Sequence, residues 1–166
     1  MRHRGRRYVG TRHPRRPKLF PKQQKKLKLI SHRGNLYGRF ASLENSPEYI
    51  TEAIDKGFDA EIDVWFTDGL YLGHDEPEYQ CTMNFLVGNS KKLWIHCKNL
   101  MALQVLNDIP SLNIFWHQED DFTLTSKGFI WTYPNKEVCN KSVIVVKDAT
   151  KYNGEKCYGL CSDTVI

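Results

Sequence analysis

With 166 residues, 40% of them hydrophobic and 12% aromatic, the chain holds enough apolar material for one cored domain. No apolar run approaches the roughly 18 residues of a membrane span, and the basic start lacks the apolar stretch and small-residue cleavage site of a secretory signal. The net charge of +5 joins two unlike parts: residues 1–28 carry twelve Lys/Arg and no Asp/Glu, whereas 29–166 carry a balance of −7.

The basic segment, MRHRGRRYVGTRHPRRPKLFPKQQKKLK, has three prolines, little apolar content and strong self-repulsion, which predicts a disordered tail over 1–28 ahead of a domain over 29–166. Such a tail suits the phosphates of nucleic acid or of an anionic membrane, and the plainer reading is a solubilising extension. A mitochondrial presequence is the weaker option, because the segment is poor in Ser. The five cysteines, Cys81, Cys97, Cys139, Cys157 and Cys161, are odd in number and form no close CxxC pair. That argues against a disulfide framework or a zinc knuckle and makes a reducing, cytoplasmic compartment the default.

Lys28 to Ser31 reads as a first strand that ends abruptly in His32-Arg33-Gly34. Ser46 then caps a helix with Pro47 at its first position, Ile50, Ala53 and Ile54 on its apolar face and Gly57 as its stop. DAEIDVWF (59–66) is a second strand, and LYLGHD (70–75) follows a Thr-Asp-Gly turn as a short extended piece. KLWIHCK (92–98) is another strand, leading into a helix, NLMALQVLNDI, that Pro110 ends. NIFWHQ, GFIWTY, SVIVVK and YGLCS read as four later strands with little helix between them. Strand–helix–strand alternation predicts a parallel α/β sheet. A full (β/α)8 barrel takes about 250 residues, so a barrel here would lack several outer helices, and a doubly wound sheet is the alternative.

Period-two alternation puts Glu61 and Asp63 on one face of their strand. Two adjacent carboxylates repel, and oxygen ligands at that spacing favour Mg²⁺, Ca²⁺ or Mn²⁺ between them. His74, in the Gly-bounded GHDEP, pairs conceptually with His32 just past the first strand. Two imidazoles beside a phosphate can alternate as general base and general acid, while Arg33 and Lys98 hold the phosphoryl group. His96 shares the strand face of Lys98.

HRG after the first strand, LENS opening the first helix, EIDVWFTDG and then GHD resemble the glycerophosphodiester phosphodiesterase family, within the phosphatidylinositol phospholipase C-like group. The likeness is specific in order and spacing over 29–75 and looser over 93–166. It implies a compact TIM-type (β/α) barrel with several outer helices shortened or missing. It further implies metal-dependent hydrolysis of glycerophosphodiesters or related phospholipid headgroup diesters, with His32 and His74 as the acid/base pair. Glu61 and Asp63 would hold the divalent cation, Arg33 would contact phosphate, and Glu44 of LENS would support the site.

One departure stands out: where the family carries a third carboxylate ligand, this chain has His96, with Lys98 in its expected place. His96 is assigned as the third ligand, with Glu119 or Asp163 as replacements, and reduced metal affinity as a further alternative. Aromatics on late strands are most often core, yet Trp131 of WTYP is placed at the mouth, packed against a substrate alcohol. The alternative reading of the whole is a catalytically weak domain that binds phosphodiesters, with the basic tail targeting nucleic acid or an anionic membrane.

Overall fold

The structure, a computed structural model, describes residues 27–166, so the tail expected over 1–28 lies, apart from Leu27 and Lys28, outside the described residues. The chain runs β1 (Lys28–His32), α1 (Pro47–Asp55), β2 (Asp59–Phe66), β3 (Leu70–Leu72), β4 (Tyr79–Cys81), α2 (Met83–Gly88) and β5 (Leu93–Cys97). It continues through α3 (Leu100–Asn107), β6 (Ile114–Phe115), β7 (Phe122–Leu124), β8 (Ile130–Thr132), β9 (Ser142–Val145) and β10 (Gly159–Ser162), with a 3-10 turn at Ala149–Lys151. The first helix forms as its sequence predicts: the Ser46 hydroxyl accepts from Tyr49 N–H, Pro47 opens the helix and Gly57, at φ 95°, lies beyond its end. Asn99 caps α3 by accepting from Ala102 N–H, and the same side chain bonds both backbone groups of Phe66, pinning the helix start to β2.

All ten strands join one mixed sheet. Seven run parallel in the order β6-β5-β2-β1-β10-β9-β8, β3 and β4 extend β2 as an antiparallel meander, and β7 pairs antiparallel with β8. The expected TIM-type barrel is not formed. β6 and β8, the ends of the parallel path, share no ladder, so the sheet stays open. The reason lies in the second half of the chain. After β6 the backbone turns back as the β7–β8 hairpin, and the connections 133–141 and 146–158 contain no α-helix to act as a crossover. A doubly wound sheet is not formed either, because the three short α-helices cannot cover two faces.

The sheet has two dissimilar faces. Ala60, Ile62, Val64, Leu93, Ile95 and Cys97 pack with Ile50 of α1 and with Ala102 and Leu106 of α3. On the other face Ile30, Trp94, Phe115, Trp131, Val143 and Cys161 form an aromatic-rich cluster. The sheet curls enough that Phe115 and Trp131, from its two parallel ends, stack at 4.6 Å between ring centroids. Further along the same alternation, past the aromatics, lie His32 and His96 at the carboxyl ends of β1 and β5, with Glu61 and Asp63 beside them midway along β2.

Candidate active site

Strand register assembles this site. His32 of β1 pairs with Glu61 of β2, and Asp63 of β2 pairs with His96 of β5, all in parallel ladders. Side chains at paired positions stand on the same face. Four ionisable groups from three strands therefore share one surface at the strand ends, where open α/β sheets place their ligands.

Asp63 is the hub. Its Oδ2 accepts from Asn45 Nδ2 at 3.0 Å and lies 3.0 Å from Arg33 Nε and 3.3 Å from His74 Nδ1. Its Oδ1 lies 3.0 Å from His96 Nδ1 and 3.6 Å from Lys98 Nζ. Burial alone would raise the Asp63 pKa, but the bonds from His74 and His96 and the charge of Arg33 hold it well below the usual carboxylate range. Arg33 and Asn45, two of the three described non-glycine residues in the left-handed region, at φ 54° and 63°, both turn their side chains to this carboxylate. Their unfavourable backbone is held by the contact of the Asn45 N–H with the Arg33 carbonyl at 3.0 Å. Gly34 follows Arg33 because a Cβ there would lie 2.7 Å from Tyr49 Cδ1 in α1.

Glu61, two residues away, is the opposite case. It is buried, and its Oε2 has no hydrogen-bond partner among the described residues. His32 Nε2 stands 3.8 Å away, beyond hydrogen-bond reach. Burial, and then the neighbouring Asp63 charge, push the Glu61 pKa up. Glu61, Asp63 and His96 each offer one ligand atom, all within 4.8 Å of one another. An orphaned buried carboxylate oxygen beside a second carboxylate and an imidazole fits a divalent cation, and the predicted ligand set is thus brought together.

The two predicted proton-transfer groups differ in their surroundings. His32 Nδ1 donates to Asp163 Oδ1 at 2.8 Å, which leaves Nε2 as the free nitrogen. Burial lowers the His32 pKa, but the Asp163 hydrogen bond and the Glu61 charge outweigh it, and the net shift is upward. Asp163 is itself steadied by Asn35 Nδ2 at 2.9 Å, and the same amide bonds Glu44 Oε1 at 2.9 Å. Glu44, expected to support the site, also accepts from Arg33 Nη1 at 3.1 Å and Arg39 Nε at 3.0 Å. His74 Nε2 accepts from Arg33 Nη2 at 3.3 Å, so its ring proton sits on Nδ1 toward Asp63, with Lys98 Nζ 3.4 Å from that nitrogen. Gly73 precedes it because a Cβ there would meet the Glu76 carbonyl oxygen at 2.0 Å.

A cleft of about 310 Å³ opens beside these groups, lined by His74, His96, Lys98, Trp116, His117 and Tyr133. Trp131 does not reach it. The residue is 3% exposed, stacked on Phe115 and tilted against Trp94 beneath the site, and its expected contact with a substrate alcohol is replaced by a core role. Tyr133, two residues on, faces the cleft and places its hydroxyl 3.0 Å from His117 Nδ1. Glu119 is exposed on the loop after β6, outside the ligand cluster, and Asp163 serves His32. Asn35, Asn45 and the Asp163–His32 pairing escape sequence reading, since each depends on long-range register. Asn45 within LENS is the one with a local signal, a small polar residue immediately before the helix cap.

No family model matches the chain, and neither a curated protein nor a solved structure does. Among the described residues no helix is long and apolar enough to cross a membrane.

Proposed function

We propose that the chain is a metal-assisted phosphodiester hydrolase of glycerophosphodiester phosphodiesterase type, acting on glycerophosphodiesters or related phospholipid headgroup diesters. The observation that supports this reading is the convergence of Arg33, His74, His96 and Lys98 on Asp63, with His32 and the unpartnered Glu61 beside them.

The roles follow from the bonds each residue makes. His32 acts as general base through Nε2, because its Nδ1 proton is committed to Asp163. His74 carries the general-acid role in the resemblance; to serve a leaving alcohol in the adjoining cleft it must first take up a proton at Nε2, the nitrogen that accepts from Arg33 Nη2. Arg33 and Lys98 flank His74, and on this reading they would hold the phosphoryl oxygens. Glu61, Asp63 and His96 would hold a divalent ion, which supplies neutralisation of charge developing on the diester. Mg²⁺ and Ca²⁺ are the ions the sequence points to, with Mn²⁺ a further candidate. The five cysteines are all free thiols, in keeping with a cytoplasmic setting.

A phosphodiester-binding domain without turnover is the second reading. It is favoured by the crowding of Arg33, His74, His96 and Lys98 on Asp63, which gives that carboxylate countercharge without any added ion. On that reading residues 1–28 supply the address, nucleic acid or an anionic membrane.

Phosphorus NMR of glycerophosphocholine, glycerophosphoinositol, lysophosphatidylcholine and a short oligonucleotide, each with Mg²⁺, Ca²⁺, Mn²⁺ or chelator, tests the first reading. A monoester or cyclic-phosphate signal that disappears with chelator and in His32→Ala is the expected result. Diesters left intact under every condition would overturn hydrolysis of these substrates and leave the binding reading.

A further inference from the structure

We propose that the cluster selects a first-row transition-metal dication (Mn²⁺, Fe²⁺, Co²⁺ or Zn²⁺) over Mg²⁺ and Ca²⁺, and that His96 is the selecting ligand through Nδ1. This rests on the reading of Glu61, Asp63 and His96 as a metal centre.

The His96 ring is fixed in one orientation. It lies parallel to Phe115, with centroids 5.2 Å apart and planes 5° apart, and to His117 at 4.3 Å and 9°. Its Nε2 faces the backbone carbonyl oxygen of His117 at 3.4 Å. A carbonyl only accepts, so this contact keeps a proton on Nε2, the arrangement in which backbone carbonyls orient metal-bound imidazoles. The bond from Nδ1 to Asp63 Oδ1, 3.0 Å away, therefore needs a second ring proton, and in the neutral ring the Nδ1 electron pair faces that oxygen instead. Two electron pairs cannot face each other at that distance without a proton or a cation to share. Glu61 Oε2, buried and unpartnered, belongs to the same cluster and offers the third donor.

The donor set decides the class of ion. Ca²⁺ takes six to eight oxygen ligands and Mg²⁺ dehydrates reluctantly, whereas an imidazole with two carboxylates suits the first-row dications. The other nearby carboxylates are committed, Glu44 to Arg33, Arg39 and Asn35, and Asp163 to His32 and Asn35. The Asn45 amide oxygen accepts from the Asp63 N–H. Cys97 of β5 packs into the opposite, helix-covered core, and Cys161, although on the site's face, is not among the clustered ligand atoms, so among the described residues no thiol joins the site.

Calorimetric titration of the full chain with Mn²⁺, Zn²⁺, Mg²⁺ and Ca²⁺ separately tests this. The expected result is one site per chain, binding Mn²⁺ and Zn²⁺ on the order of tenfold or more tighter than Mg²⁺ and Ca²⁺. Glu61→Gln should abolish that site, and His96→Asp should shift the preference toward Mg²⁺ and Ca²⁺. Circular dichroism of both variants checks folding, and the visible absorption of bound Co²⁺ in the unaltered chain reports nitrogen–oxygen ligation independently of any variant. Equal affinities, tighter Mg²⁺ or Ca²⁺, a preference unchanged by His96→Asp in a folded protein, or no binding of any ion would each overturn the proposal. The predicted selectivity without diester turnover would uphold it and overturn only the hydrolase reading.

Discussion

The β1–α3 half and the β6–β10 half of this sheet do different work. The first carries all three α-helices and His32, Arg33, Glu44, Glu61, Asp63, His74, His96 and Lys98. The second carries no helix longer than a 3-10 turn, and it gives the site an aromatic floor of Phe115 and Trp131 and one carboxylate, Asp163. β2 buries Asp59, Glu61 and Asp63 on the face away from α1 and α3, where pairing with β1 and β5 on both sides fixes the strand and neighbouring side chains cover it. Buried charge stands where the backbone is clamped from every side, and the loop-connected half supplies apolar packing. The contrast holds even within β2, where Asp63 has a full set of donors and Glu61 Oε2 has none.

Substitutions should separate the halves by what they change. The largest expected effect is on turnover: His32→Ala or His74→Ala should cut diester hydrolysis by about 10²–10⁴-fold with little change in melting temperature, read by phosphorus NMR and circular dichroism. In the other half, Trp131→Ala should cost about 3–5 kcal/mol of stability in a denaturant titration. A Trp131→Phe protein should retain hydrolysis, and a selective loss of turnover in it would return Trp131 to the substrate. Asp163→Asn crosses the boundary. It should lower kcat less than His32→Ala does, leave KM nearly unchanged and alter the pH profile of the base.

Acid stability gives a smaller, signed effect. Burial opposes ionisation of Glu44 and Asp163, but bonds from Asn35, Arg39 and Arg33 on the one, and from His32 and Asn35 on the other, hold both pKa values below their ordinary 4.5 and 3.8. Their contribution is therefore complete above those values and fades as pH falls through the lower folded-state ones. Melting temperature should drop on acidification below pH 4.5, and Glu44→Gln should flatten that drop. The smallest effect concerns thiols. The exposed Cys139, its pKa lowered by the Ser142 hydroxyl, should alkylate first at pH 8, while burial pushes Cys81 up to about 11 and Cys97 up to about 12 and protects them. Peptide mass mapping after brief iodoacetamide treatment reads the order.

Sequence patterning revealed what is local. Ser46-Pro47 and Gly57 bound α1, and the spacing of two that puts Glu61 and Asp63 on one face needs only strand geometry. Register was not legible, because nothing in LKLISH or KLWIHCK says that residue 32 stands beside 61 or 96 beside 63. The barrel expectation failed where the resemblance was loosest, beyond residue 93. There NIFWHQ forms a ladder only at Ile114–Phe115, and the polar Asp-Asp-Phe-Thr-Leu that follows makes an antiparallel strand no periodicity announced. The left-handed turn at Arg33 was partly visible through Gly34, but the arginine's own strain needs Asp63 to explain it.

The insertion of β10 beside β1 also sets an order of assembly. Asp63 and His96 are 33 residues apart and meet within the continuous β2–β5 stretch, whereas His32 and Asp163 are 131 residues apart. Closing the longer loop costs more entropy and comes later in folding. The candidate metal half of the site can therefore form while the chain beyond α3 is still unstructured, and His32 gains its orienting carboxylate only when the last strand docks.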